Sequence, residues 1–267
     1  MEKQHWIFLS PHLDDVALSC GGLVWDLVNR GCSVEIWTLM AGVPYEGPFS
    51  DFAEMNHQPW GISGKEIVHA RREEDKNACE VLGVKARHFD WLDCIYRVDI
   101  TTGEPYVKDN VELFEKAPEE RLVQAIRKKL KDQIPRNVKF ALPMGLGDHI
   151  DHRVVVQAVS GMKMKPFYYA DYPYVLKSID PPRTLSHRWK RHPHDLREGA
   201  LKHWQESVLC YTTQLSGFWR DEEETRLALK NFMACGGGRS WQKTTAVGTF
   251  IRKVTRKIFR KNNLKFY

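Results

Sequence analysis

Apolar positions along the chain fall into short runs separated by stretches of helical periodicity. Residues 5–10, HWIFLS, form an apolar run with β-formers, the mark of a buried strand. Residues 16–30 follow with Val16, Leu23, Leu27 and Val28 at helical spacing, and Gly31 supplies the stop. Gly21 and Gly22 lower helix propensity, which suggests that they permit close packing of this helix on the sheet. A second strand at 33–40 completes a strand–helix–strand unit with a short return, as in a parallel βαβ arrangement.

Residues 43–64 have Pro, Gly, Ser and aromatics without periodicity and read as a long loop, a candidate rim for a binding cleft. A helix is expected over 65–82 with Gly83 as its cap, then a strand over 85–91. Leu122, Val123, Ile126 and Leu130 share one face of a helix expected over 117–133, and 137–143 reads as a buried strand leading into GLGDHIDH. Beyond residue 165 the pattern weakens to an outer strand at 168–175 and helices at 195–211 and 221–234. This alternation predicts an α/β fold, a Rossmann-like, mostly parallel sheet flanked by helices, with ligands at the carboxyl ends of its strands. With no repeat or linker to divide it, residues 1–250 are expected to form one domain, followed by a basic tail at 251–267.

Charge changes the picture only at that tail. The chain has 40 Lys and Arg against 34 Asp and Glu, a net charge of +6. The tail IRKVTRKIFRKNNLKFY holds seven of the basic residues and no acid, leaving 33 basic against 34 acidic residues elsewhere. A nucleic-acid partner is therefore not expected from the basic balance. Phe250, Ile251, Val254 and Ile258 would share one face of a tail helix, open to peripheral contact with an anionic membrane or an acidic polymer, although a terminal helix docked on the domain with a solvated basic face is the more ordinary explanation. No run approaches the roughly 20 apolar residues of a membrane span, and the amino terminus lacks a signal-peptide pattern, so a cytoplasmic location is expected. The six cysteines have no CxxC spacing and read as small buried hydrophobes.

Two motifs carry candidate chemistry. Ser10-Pro11-His12-Leu13-Asp14-Asp15 ends the first strand, and His149-Ile150-Asp151-His152 follows the strand ending at Pro143. Adjacent aspartates also suit a helix start, where they accept free N–H groups and favour the dipole, so the first motif alone divides evenly between capping and metal binding. Together the motifs lie at strand tips of one parallel sheet and can converge. Two histidines and one aspartate with an open fourth position is the ligand arrangement of catalytic zinc.

On these residues the sequence resembles the LmbE/PIG-L family of zinc-dependent N-acetylglucosaminyl deacetylases, whose members carry a (P/A)H-x-DD motif and a later HxDH motif. The segment Asp90-Trp91-Leu92-Asp93 and the helix bearing Arg71 and Arg72 also fit that layout. The resemblance implies His12, Asp15 and His152 as metal ligands, for Zn²⁺ or, in the cell, Fe²⁺. It implies Asp14 as general base, His149 as the group that stabilises the oxyanion or protonates the leaving amine, and Asp151 as the residue that orients His149. Zinc brings bound water to a pKa of about 7, Asp14 can accept its proton, and an imidazolium can meet the negative oxygen. The expected substrate is a small-molecule N-acetylated sugar conjugate of GlcNAc type, and a homo-oligomer stays open. Two positions depart from relatives: Val16 stands where many have an acid, and Gly147 where some sugar deacetylases have a tyrosine.

Arg71 and Asp93 are candidate substrate contacts, although arginines beside Glu73, Glu74 and Asp75 are more often a solvated helix face. Trp60 and Trp91 sit on expected cleft loops, and Tyr168, Tyr169, Tyr172 and Tyr174 are candidates for sugar stacking or for the core. GGG at 236–238 lacks the strand-before, helix-after context of a phosphate loop, and GLG at 145–147 lacks the third glycine of a dinucleotide fingerprint. The competing reading is a catalytically silent carbohydrate-binding or assembly protein on the same fold.

Overall fold

A computed structural model of the chain describes residues 3–45, 47–57, 64–177, 189–191 and 195–243. The expected alternation is present as β1 (His5–Ser10), α1 (Asp15–Asn29), β2 (Ser33–Thr38), α2 (Asp51–His57), α3 (Gly64–Leu82) and β3 (Lys85–His88). After β3 come α4 (Asn110–Glu115), α5 (Glu120–Gln133), β4 (Lys139–Pro143), α6 (Ile150–Ser160), β5 (Phe167–Tyr169) and α7 (Tyr174–Lys177). The last elements are β6 (Trp189–Arg191), α8 (Ala200–Leu209), α9 (Thr212–Leu215), α10 (Glu222–Ala234) and β7 (Ser240–Lys243).

The strands form one sheet in the order β3-β2-β1-β4-β5-β7-β6. The first five are parallel, with His5 opposite Ser33 and Trp6 opposite Lys139 fixing the central register. β7 runs antiparallel to both β5 and β6. The fold is therefore mixed α/β with a mostly parallel sheet flanked by helices.

β1 shows why its apolar run is continuous. Ile7 and Leu9 join Phe140, Leu142, Ile126, Leu130, Val154 and Val155 on one side of the sheet. Trp6 and Phe8 join Val16, Leu23, Val34, Ile36 and Leu82 on the other. Alternate side chains enter opposite layers, so a strand covered on both faces needs apolar residues throughout.

Several elements differ from the sequence-based expectation. The 43–64 segment contains α2, while residues 58–63, including Trp60, lie outside the described residues. α4 and α6 were not expected as helices. The outer strand at 168–175 shortens to β5 and gives way to α7, because only Phe167–Tyr169 find a ladder partner in β4. The tail at 251–267 lies outside the described residues. All six cysteines are free. Among the described residues no helix is long and apolar enough to cross a membrane.

Gly21 and Gly22 do permit close packing, but against α8 and not against the sheet. A Cβ on Gly21 would lie 2.7 Å from Trp204 Cδ1, and one on Gly22 would lie 3.0 Å from Trp204 Cε3. α1 departs from helical geometry at Cys20, one turn after Ala17, whose carbonyl accepts the buried Trp204 indole N–H at 2.6 Å. A Gly21→Ala substitution is therefore expected to destabilise the protein by about 1–3 kcal/mol through overpacking. Urea denaturation measures this, and an unchanged midpoint would show that Trp204 yields freely.

Candidate metal centre

From β1 the chain crosses to β2 on one side, whereas β4 and β5 lie on the other. The carboxyl ends of β1 and β4 therefore flank the switch point of the sheet, where adjacent loops diverge and leave a crevice. The loop after β1 carries His12 and Asp14 and leads into Asp15 at the start of α1, and the loop after β4 ends at His149.

Local structure in the first loop answers the capping alternative. Asp14 occupies the residue before α1 but caps nothing with its side chain, and its backbone lies at φ 155° and ψ −30°. The Asp15 carboxylate accepts the backbone N–H of His12 at 2.8 Å through Oδ2, tying the loop down. Ser10 Oγ donates to the His12 carbonyl at 2.6 Å. The Asp14 side chain thus does not cap the helix, while Asp15 lies in its first turn with its carboxylate turned back to the loop.

The Asp15 carboxylate lies between the other two expected ligands, touching each through a different oxygen, whereas His12, His149 and His152 form a three-residue group whose donor atoms all lie within 4.8 Å of one another. Asp15 Oδ2 lies 3.4 Å from His12 Nδ1 and its Oδ1 lies 3.2 Å from His152 Nε2. The far nitrogen of each ring is held by another carboxylate: His12 Nε2 donates to Asp151 Oδ2 at 3.0 Å, and His152 Nδ1 to Asp171 Oδ1 at 2.6 Å. In the neutral form of each ring, with those outer nitrogens protonated, His12 Nδ1 and His152 Nε2 would be the lone-pair positions beside Asp15.

His149 also has a ring nitrogen within 4.8 Å of those of His12 and His152. It begins α6 as the capping residue, its Nδ1 accepting the backbone N–H of Asp151 at 3.2 Å. A neutral imidazole that accepts through Nδ1 carries its proton on Nε2, so in that form His149 presents an N–H to the crevice. The hydrogen bond between Asp151 and His149 runs through backbone, with the Asp151 carboxylate nearby but not bonded to the ring. The carboxylate is instead taken up by His12, by Arg97 Nη1 at 2.7 Å and by the Cys94 N–H at 3.0 Å. It orients His12.

The electrostatics follow from burial. Asp14, Asp15, Asp151, Asp171, His12, His149 and His152 are all buried. Burial pushes the Asp14 carboxyl up to about 7, with the Asp15 charge adding to it and Arg71, whose Nη2 is 3.7 Å away, opposing it. Asp15 is held well below the carboxylate range: burial opposes this, but His152 and His12 outweigh it. Asp151 is likewise lowered, as Arg97 and His12 overcome the effect of burial. Burial also works against charge on the two outer imidazoles. Asp93, Asp15 and Asp151 nevertheless carry His12 well above its ordinary value, and Asp15 and Asp171 carry His152 to about 10. His149 moves the other way, driven well below its ordinary value by burial and by repulsion from His12 and His152.

This pattern fits a cation. Asp14, Asp15, Asp93, Asp151 and Asp171 outnumber the arginines Arg71 and Arg97 around one crevice, and protons on His12 and His152 make good the missing positive charge. Two imidazoles flanking one carboxylate are a donor set suited to a divalent transition metal such as zinc. A metal there would displace protons, because imidazole binds metal only when neutral. Adding Zn²⁺ to metal-free protein near pH 7 is therefore expected to release protons, read with an indicator dye in weak buffer. Uptake without release would show that both imidazoles were already neutral.

Both candidate substrate contacts lie at the crevice. Arg71 reaches from α3 toward Asp14, and Asp93 Oδ2 is 3.7 Å from His12 Nε2 while its Oδ1 accepts the N–H of Ile95 in the short turn Cys94–Tyr96. The neighbouring Arg72 instead ties α3 to the Ala41 carbonyl and to Asp90. Trp91 stacks on Phe89 and lines a cavity of about 480 Å³ with Val43, Tyr45, Leu92, Arg97 and Leu122. Of the four tyrosines, Tyr168, Tyr169 and Tyr172 are buried core, while Tyr174 packs edge-on to His152 at 5.6 Å between ring centroids. Sequence reasoning missed Asp171 and Arg97 altogether. Neither belongs to a motif.

A mostly parallel α/β sheet with buried histidines and carboxylates at its switch point defines a Rossmann-like protein with a candidate catalytic metal site. The chain belongs to the PIG-L family, described as GlcNAc-PI de-N-acetylase, whose profile matches residues 7–163. It is 26% identical over 265 residues to a 2'-N-acetylparomamine deacetylase of Niallia circulans, covering 85% of this chain and 86% of that protein. The crystal structure of A40926 pseudoaglycone deacetylase is similar at a TM-score of 0.67 and 25% identity, over 91% of this chain and 97% of that one. The zinc-inhibited form of teicoplanin deacetylase shares the fold at a TM-score of 0.70 and 21% identity, over 91% and 100% of the two chains.

Proposed function

We propose that this chain is a metal-dependent hydrolase that removes the acetyl group from the nitrogen of an amino sugar, with His12, Asp15 and His152 as the metal ligands. The observation that carries the reading is the Asp15 carboxylate set between two imidazoles, with the unspent Asp14 beside it. Relatives named as deacetylases of 2'-N-acetylparomamine and of A40926 pseudoaglycone support a substrate in which the N-acetylated sugar is part of a larger small molecule. Zinc is the favoured metal, with ferrous iron the alternative in the cell.

Zinc, when bound, polarises the amide carbonyl and acidifies water. Asp14 supplies the base: a buried carboxyl beside Asp15 that caps nothing can take a proton from water and give it back to the departing amine. Arg71, whose Nη2 is 3.7 Å away, favours its ionised form. His149 enters neutral and donates through Nε2–H to the oxygen on which negative charge develops. This differs from a pre-charged imidazolium and leaves the proton return to Asp14. Asp93 and Arg71, beside His12 and Asp14, are the side chains this reading assigns to sugar hydroxyls.

Asp14→Asn is expected to fold and retain metal while kcat for acetate release from 2'-N-acetylparomamine or N-acetylglucosamine conjugates falls by roughly 10²–10⁴-fold. Normal turnover by that variant would remove Asp14 from the mechanism. Chelation should abolish acetate release by the native chain and added Zn²⁺ or Fe²⁺ should restore it, whereas activity that survives complete metal removal would exclude the metal-dependent reading.

A further inference from the structure

The carboxyl end of β5 leads into Asp171-Tyr172-Pro173-Tyr174, a segment that lies beyond the residues 7–163 matched by the family profile. Asp171 is only 1% exposed, and both of its oxygens are engaged. Oδ2 accepts the backbone N–H groups of Gly145 and Leu146, each at 3.1 Å, and Oδ1 accepts from His152 Nδ1 at 2.6 Å. One carboxylate thus joins the loop after β4 to a side chain on α6.

The same two segments meet a second time. Gly147 has φ +80°, and a Cβ on it would lie 2.5 Å from Cδ1 and Cγ of Tyr174. The bare position lets the Tyr174 ring stand at 87° to the His152 ring. His152 is therefore held at one nitrogen by Asp171 and along one side by Tyr174. A ring flip would place carbon where Asp171 and Asp15 now find nitrogen.

We propose that Asp171 is the positioning residue of the metal centre, holding His152 with its Nδ1 proton outward and its Nε2 lone pair directed at the position beside Asp15. This rests on the proposed role of His152 as a ligand. A carboxylate on the outer nitrogen of a ligating histidine fixes its tautomer and orientation and raises its basicity. Asp171 is suited to that because the loop amides, 3.1 Å from its Oδ2, prevent it from following the ring.

The test is zinc affinity of Asp171→Asn, measured by competition with a chromophoric chelator beside the native chain. An asparagine has one acceptor oxygen, so it cannot serve both His152 and the loop amides. Affinity is expected to fall about 10–100-fold, with the far-ultraviolet circular dichroism retained. Acetate release by the variant should recover in part when zinc is raised above the weakened Kd. Asp26→Asn is the control: this buried carboxylate, bonded to Arg30 and the Arg197 N–H away from the crevice, should leave zinc affinity unchanged. Native-like affinity in folded Asp171→Asn would overturn the inference while leaving the metal reading intact. An equal loss in both variants would also overturn it, as a general effect of destabilisation. A native chain that binds no zinc would remove the metal reading and this inference together.

Discussion

The arrangement at the centre of this protein depends on one buried carboxylate. Asp15 sits between His12 and His152, 3.4 and 3.2 Å from their near nitrogens, and these imidazoles, with the His12 N–H, offset the effect of burial on its charge. The two imidazoles are in turn held from behind by Asp151 and Asp171. Burying this many carboxylates without compensation is prohibitive, so the crevice requires positive charge from protons or from a metal.

Each part of the fold contributes to that requirement. The parallel ladder between β1 and β4 places two loop ends side by side, and the crossover directions open the space between them. Asp15 opens α1 and His149 caps α6, so two helix starts face one crevice. Trp204 fixes α1 from outside through the bare faces of Gly21 and Gly22. Arg97 carries the restraint further, linking Asp151 to Glu119 at the start of α5. The chemistry follows from unequal environments: Asp14 and Asp15 are adjacent in sequence, but one is raised to about 7 while the other stays ionised.

Much of this was legible in the sequence, and the parts that were not share a cause. β1, α1 and β2 announce themselves through apolar periodicity, and His12, Asp15 and His152 through motifs placed at strand tips. α6 was overlooked because its first turn is the HxDH motif itself, which reads as a loop. β6 and β7, at three and four residues, are too short for alternation to register. Asp171 is a single aspartate 19 residues past His152, in a stretch where the pattern weakens, and only folding brings the two together. Arg97 belongs to an irregular segment where an arginine is ordinarily solvated. The bond between Asp151 and His12 is hidden for a related reason: Asp151 lies two residues from His149 in sequence, but its carboxylate bonds His12, 139 residues away.

The central claim is that the His12, Asp15 and His152 side chains hold one divalent metal at the switch point of the sheet. A crystal structure of the zinc-loaded protein, with anomalous data collected on both sides of the zinc edge, tests it most directly. The expected result is a single strong anomalous peak bonded to a nitrogen of His12, a nitrogen of His152 and an Asp15 oxygen, with the Nδ1 of His149 still on the Asp151 N–H. A peak bonded to His149 in place of Asp15, or no peak in this crevice, would contradict it.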